Sequence, residues 1–362
     1  MLYKLFHIKN FRCFRDFKYS SLDRVNLITG MNNVGKTALL EAIWLHQGRN
    51  NPQLSLNINA KRGLNEFNSK EFLLDIFNDF NFDKEISIKS VDSDNFKRST
   101  IIKSKESSFT ELPLNENGDT DVTEDESTRN IQAMSNRVIF TYKNATDDTF
   151  QTQMNLFENI ETGNRGIQFH GKKAENIPQG IFISSSASSN PQENAERFGE
   201  LTRQKRKEEI IQLLKHLTPE LRDLEIIPMG KTSIIHGDLN TDRLYPIQLL
   251  GDGLNRLLTY GLAITASKNG IVLIDEIENG LHYSVLPKIW SALAELARKS
   301  NVQLFATTHS EECIRAAYNS FSKSEKYDFK LHRIDKYDNE ISQTTYEKDT
   351  LGPAIEQGFE VR

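Results

Sequence analysis

Residues 30–37 read Gly30-Met31-Asn32-Asn33-Val34-Gly35-Lys36-Thr37, a full match to the pattern G-x-x-x-x-G-K-[ST]. Just before it lies Val25-Asn26-Leu27-Ile28-Thr29, a short apolar run of strand type. Just after it, Leu39, Leu40, Ile43 and Trp44 mark the apolar face of a helix over about 36–47. The order strand, glycine-rich turn, helix is what a phosphate cradle requires. Gly30 and Gly35 permit backbone angles that larger residues resist, and the N–H groups of the turn, Asn32 and Asn33 among them, with that of Ala38 at the helix start, can converge on phosphate oxygens. The helix start adds its positive end at the same place. In such a loop Lys36 neutralises the β- and γ-phosphates and the Thr37 hydroxyl binds Mg2+. From average composition the pattern arises by accident in roughly 1 % of chains this long. The expected cofactors are therefore ATP and Mg2+.

Outward from this loop, the next informative stretch is Ile271-Val272-Leu273-Ile274-Asp275-Glu276. Four apolar residues ending in two acids read as a strand buried in a parallel sheet, whose C-terminal end is where α/β sheets bind ligands. Asp275 is expected to hold Mg2+ and Glu276 to polarise the attacking water. Glu278-Asn279-Gly280-Leu281-His282 follows as a turn, with Asn279 expected near the nucleotide. Val302 to Thr308 is a further strand, ending at His309, a residue able to bond the γ-phosphate or its water. Catalytic roles are thus expected for Lys36, Glu276 and His309. A second glycine nest, Gly251-Asp252-Gly253, precedes an apolar helix over about 254–267. Two anion nests but one nucleotide pocket imply a head-to-tail dimer, each nest sealing the nucleotide of the other copy.

Elsewhere the texture divides the chain into three stretches. Residues 1–83 carry the P-loop, with strands at 2–8 and 25–29 and a loop at 48–70. Residues 84–224 hold an inserted antiparallel β region, with alternating segments at 85–91, 99–103, 137–142 and 149–157. That stretch also has an acidic tract, 115–126, expected to be an exposed loop, a linker from Ser184 to Asn190, and one helical arm over 192–217. Residues 225–362 return to α/β order, with helices at 284–299 and 311–320 and a closing hairpin at about 328–334 and 340–346. The expected fold class is α/β: a P-loop NTPase with a mixed sheet flanked by helices, an inserted antiparallel β region and a short helical arm.

Composition bounds the function. Hydrophobic residues make up 37 % and charged residues 26 %, with a formal net charge of −5, which argues against a generally basic nucleic-acid coat but not against a local basic groove. Cys13 and Cys313 fit no metal-ligand or C-x-x-C spacing. No apolar run approaches the ~20 residues of a membrane span, so a cytoplasmic protein without a membrane partner is expected. Arg197, Arg203, Lys205, Arg206 and Lys207 cluster in 192–217; they either track nucleic-acid phosphates or pair with Glu200, Glu208 and Glu209.

Taken together these motifs resemble the SMC/RecF branch of ABC ATPases, and within it the ATPase part of OLD-family (overcoming lysogenization defect) proteins. Ile8-Lys9-Asn10-Phe11-Arg12-Cys13-Phe14, the Walker A loop at 30–37, the signature-like Leu250-Gly251-Asp252-Gly253, the Walker B strand at 271–276, the D-loop-like Glu278–His282 and the switch His309 carry the likeness. Asp252 stands where the common Leu-Ser-Gly-Gly-Gln has its Ser-Gly step, and no glutamine is assigned to a Q-loop. The resemblance implies an ATP-sandwich homodimer, open to higher assembly, and, since the residues after His309 are too few for a Toprim nuclease domain, a separate Toprim-like or nuclease-like effector, as in split anti-phage defence systems. The alternatives are a RecF-like DNA-binding ATPase of repair or recombination and a slowly hydrolysing ATP-dependent scaffold.

Overall fold

The computed structural model of the chain describes residues 2–63, 75–114, 129–159, 165–175, 177–185, 190–338 and 340–361. Two sheets dominate it. The first is antiparallel and seven-stranded: β1 (Tyr3–Phe11) and β2 (Phe14–Ser20) form a hairpin, and β4 (Ile86–Asp92), β5 (Lys97–Leu114), β6 (Arg129–Lys143), β7 (Thr149–Asn159) and β8 (Arg165–Gly171) extend it in the order β2-β1-β4-β5-β6-β7-β8. Alternation sets its two faces, as pleating demands: Phe6, Ile8, Phe17, Tyr19 and Ile88 are buried while Lys4, Lys18 and Lys89 face outward.

The second sheet has six strands in the order β16-β15-β3-β14-β13-β9. Its parallel members are β3 (Val25–Thr29), β9 (Gly180–Ile183), β13 (Ile271–Ile274), β14 (Gln303–Thr307) and β15 (Phe329–Tyr337), with β16 (Glu340–Tyr346) antiparallel at one edge. Strands covered on both faces need no alternation, and β3, β13 and β14 are buried at every residue. The helix after the P-loop, α1 (Lys36–Gln47), is buried at every position except Thr37. It lies between the sheets: His46 meets Ser90 and Thr100 of the first, and the Trp44 indole N–H donates to the Gly180 carbonyl of the second. One core cluster fills this layer, with Phe305 touching both Phe6 and Tyr19.

A second cluster covers the opposite face of the six-stranded sheet. It is built from α3 (Pro191–Arg203), α4 (Lys207–Lys215), α5 (Asp252–Ala266), α6 (Leu286–Lys299) and α7 (Glu311–Ser322), with a small sheet of β10 (Asp223–Met229), β11 (Thr232–Asp238) and β12 (Tyr245–Pro246) beside them. No helix among the described residues is long and apolar enough to cross a membrane.

The expected α/β order is present, with four corrections. The stretch 48–70 contains helix α2 (Gln53–Lys61), which buries Leu56 and Ile58. The hairpin at the end is followed by helix α8 (Lys348–Glu356), started by a capping box between Glu347 and Thr350. The single arm over 192–217 is two helices: Lys205 takes a left-handed φ of 58° at the break, and Phe198, Leu201, Ile210, Leu213 and Leu214 are buried, so neither helix projects as an arm. Finally, the boundary at 83/84 crosses a sheet, since β4 pairs with β1, and β9 belongs to the central sheet rather than to an insertion. The acidic tract lies outside the described residues.

His46 and His332 are buried and neutral. Burial, with Arg98 and Arg49 nearby, pushes His46 from an ordinary 6.5 down to about 3, and burial with Lys330 does the same to His332. Below pH 6.5 the unfolded chain takes up protons that the folded chain refuses, so stability falls as pH drops from there toward 3. The expected outcome is a melting temperature that declines from pH 7 to pH 5. The decline should be shallower in His46→Gln, checked by calorimetry across that range.

Candidate active site

The loop between β3 and α1 is shaped by backbone constraints that only its own residues meet. Gly30 has a φ of 139° and a Cβ there would lie 2.2 Å from the Ile334 carbonyl oxygen of β15. Gly35 has a φ of 103°, and its Cβ would lie 2.5 Å from Cys13 Sγ. Asn33, at φ 62°, is left-handed as asparagine tolerates. Lys36 follows, its Nζ donating to the carbonyls of Gly30 (2.7 Å) and Met31 (2.8 Å). Burial pushes the Lys36 ammonium down to about 8, against the pull of Asp275, Glu276 and Glu278. At neutral pH it stays charged, a cation curled over the loop that phosphate oxygens would draw outward.

At the ends of β13 and β14 the acids meet the loop. The Thr37 hydroxyl donates to Asp275 at 3.0 Å, the Thr307 hydroxyl at 2.6 Å and the Ser185 hydroxyl at 3.3 Å. Glu276 sits at φ 52°, a conformation that costs a non-glycine residue about 1–2 kcal/mol. Its N–H donates to Thr307 Oγ1 (2.8 Å), which fixes the turn. The Glu276 carboxylate accepts from the Asn279 amide at 2.7 Å and lies 3.7 Å from His309 Nε2.

A cleft of about 510 Å³ opens over the loop and Asp275, lined among others by Asn32, Asn33, Gly35, Lys36, Thr37, Ala38, Asp275 and His309, while Glu276 and Asn279 stand beside it rather than in its lining. The fit to a nucleotide triphosphate with a hard cation is concrete. Both glycines hold positive-φ conformations with no room for a Cβ, a charged amine overlooks the loop, and hydroxyl and carboxylate oxygens of Thr37 and Asp275, the donor type Mg2+ prefers, stand together. Gly251, Asp252 and Gly253 are not among the lining residues. They open α5, where a Cβ on Gly253 would lie 2.5 Å from the Gly280 carbonyl oxygen, so the second nest packs on the turn after Glu276 and faces solvent.

Sequence reasoning missed other members. Thr307 is fully buried and holds Asp275 and Glu276 at once; within Ala306-Thr307-Thr308 nothing in the pattern marks it. Arg12 and Arg62 line the cleft and share Glu41, at 2.7 Å each. Arg12 lies in the quoted N-terminal segment, whereas Glu41, 1 % exposed on α1, is disguised by its apolar neighbours. In the basic cluster, Arg203 pairs with Glu200 and Arg206 with Glu209, as in the paired-helix reading, while Arg197 pairs with Glu193 and Lys207 with Asp223.

With this geometry in place, the fold and site define a P-loop ATPase. A family model described as "AAA domain, putative AbiEii toxin, Type IV TA system" matches residues 25–315, and the chain belongs to that family. An "ATP/GTP phosphatase" of Helicobacter pylori is 24 % identical over 340 residues, covering 85 % of each chain. An uncharacterized protein of Methanocaldococcus jannaschii is 32 % identical over 114 residues, 28 % of this chain and 47 % of that one. Among solved structures, an Smc head domain with an extended coiled coil, bound to the C-terminal domain of ScpA from Pyrococcus furiosus, aligns with a TM-score of 0.49. It is 10 % identical and covers 98 % of this chain and 99 % of that one.

Lys36→Ala is expected to weaken ATP affinity about 100-fold, the scale of lost charge-assisted hydrogen bonds, while leaving the melting temperature of the nucleotide-free protein within a few degrees. Titration with a fluorescent ATP analogue and a thermal melt measure both.

Proposed function

We propose that this chain is an Mg2+-dependent ATPase that closes head-to-tail with a second copy around ATP, and whose opening and closing controls a separate effector polypeptide. The observation that carries the reading is the convergence of Thr37, Asp275, Glu276 and His309 at the mouth of one phosphate loop. Lys36 would leave the Gly30 and Met31 carbonyls for the β- and γ-phosphates. Thr37 and Asp275 would hold Mg2+, which supplies charge neutralisation at the phosphate oxygens. Glu276, released from Asn279, would take the proton of the water that attacks the γ-phosphorus, with ADP as the leaving group. His309 would orient that water or bond the γ-phosphate.

The dimer reading rests on the nest at 251–253 not lining the phosphate cleft of its own chain: Asp252 lines a neighbouring cleft of about 940 Å³ instead, which leaves the nest open to a partner's γ-phosphate. Three large apolar side chains beside the turns that would meet support this, Met31 at 72 %, Leu249 at 75 % and Tyr283 at 65 % exposed. The phosphatase name of the Helicobacter pylori relative supports hydrolysis, and the family's toxin–antitoxin description supports a second polypeptide. The OLD-type motifs support an anti-phage setting and a Toprim-like or nuclease-like effector. The pairing of the basic helix residues favours a protein effector over DNA as the main ligand of α3 and α4.

Glu276→Gln is expected to bind ATP normally while phosphate release drops about 100-fold or more, the contribution of a general base. The same variant should accumulate as a dimer only when ATP and Mg2+ are present, seen by sedimentation velocity. Rapid turnover by Glu276→Gln would remove this residue from its assigned role.

A further inference from the structure

Glu278 belongs to neither the phosphate loop nor the acid pair, yet its carboxylate is tied into the site. Glu278 Oε1 accepts the backbone N–H of His309 at 2.8 Å. Its other oxygen, Oε2, is buried and has no hydrogen-bond partner among the described residues. A half-buried carboxylate with one oxygen unserved is costly, and that cost calls for a role beyond closing a turn.

The surroundings supply one. Glu278 sits in a tight turn, with Asn279 N–H donating to the Glu276 carbonyl and Leu281 N–H to the Glu278 carbonyl. That turn touches α5 twice. The Tyr260 hydroxyl lies 3.4 Å from the Ile277 carbonyl, and Gly253 faces the Gly280 carbonyl so closely that no Cβ would fit between them. The same turn presents Asn279 to Glu276. The start of α5, the Glu276 carboxylate and the His309 backbone are therefore joined through this one turn.

We infer that Glu278 is a positioning residue: it couples the glycine nest at the start of α5 to the place of His309, so that engagement of the nest by a second copy moves His309 relative to Glu276. The inference rests on the dimer reading above. The 3.7 Å separation of His309 Nε2 and Glu276 Oε1 is the distance this coupling would adjust. The contact is between a side-chain acceptor and a backbone amide, so reach decides whether it forms and formal charge only adjusts its strength. Glutamine preserves the acceptor oxygen at the same length; aspartate keeps the charge but is one methylene short.

The experiment compares Glu278→Gln, Glu278→Asp and Glu278→Ala with the unaltered chain in two measurements. Hydrogen exchange of the His309 amide, read by NMR without nucleotide, should stay slow in Glu278→Gln and speed at least about tenfold in Glu278→Asp and Glu278→Ala. In steady-state ATP turnover, kcat should stay within about threefold in Glu278→Gln and fall at least about tenfold in Glu278→Asp, with KM little changed in both. Adding Glu278→Asp to His309→Ala should cause no further loss. If Glu278→Asp matches the unaltered chain, or Glu278→Gln falls as far as Glu278→Asp, or the losses multiply with His309→Ala, the coupling is overturned. Absence of turnover in the unaltered chain would instead sink the ATPase reading, and the exchange measurement would still decide the contact.

Discussion

A carboxylate with little access to water must be given donors, and at Asp275 three hydroxyls meet that need. Withdrawing such a charge from water costs several kcal/mol in round terms. Thr37 comes from the helix after the phosphate loop, Thr307 from the neighbouring strand and Ser185 from the segment after β9. One atom pair thus draws together three parts of the chain far apart in sequence. Thr307 passes the constraint on, since its oxygen also receives the Glu276 N–H and so stabilises the left-handed turn that swings that side chain away from the strand. The geometry of the acid pair is a consequence of satisfying one buried charge.

Much of this was legible in the residues, because phosphate chemistry leaves a dense local signature. Gly30 to Thr37 and Ile271 to Glu276 each announce their secondary structure and their chemistry within a single short window. What stayed hidden was set by long-range pairing. The strand pairing of Ile86–Asp92 with β1 cannot be read from either segment alone, which is why a boundary placed at 83/84 crosses a sheet. The break at Lys205 was masked by apolar spacing that runs on through both helices. Glu41 and Thr307 look ordinary in their own windows and acquire meaning only from Arg12, Arg62, Asp275 and Glu276 across the cleft.

The placement of α1 shows how these scales meet. Its first residues belong to the phosphate loop, while the rest of the helix is the filling between two sheets. A helix buried almost all round cannot shift without disturbing both layers, so the loop at its start is mounted on a rigid element. The turn around Glu278 and the opening of α5 are more exposed.

The strand order carries a last implication, for how the chain is made. β3, which leads into the phosphate loop, is flanked by β14 and β15, strands that leave the ribosome some 275 residues or more after it. Gly30 rests against the carbonyl of Ile334. A nascent or truncated polypeptide therefore lacks both walls of its own cradle. The two strands that wall the phosphate loop thus arrive late in synthesis, after most of the chain has been made.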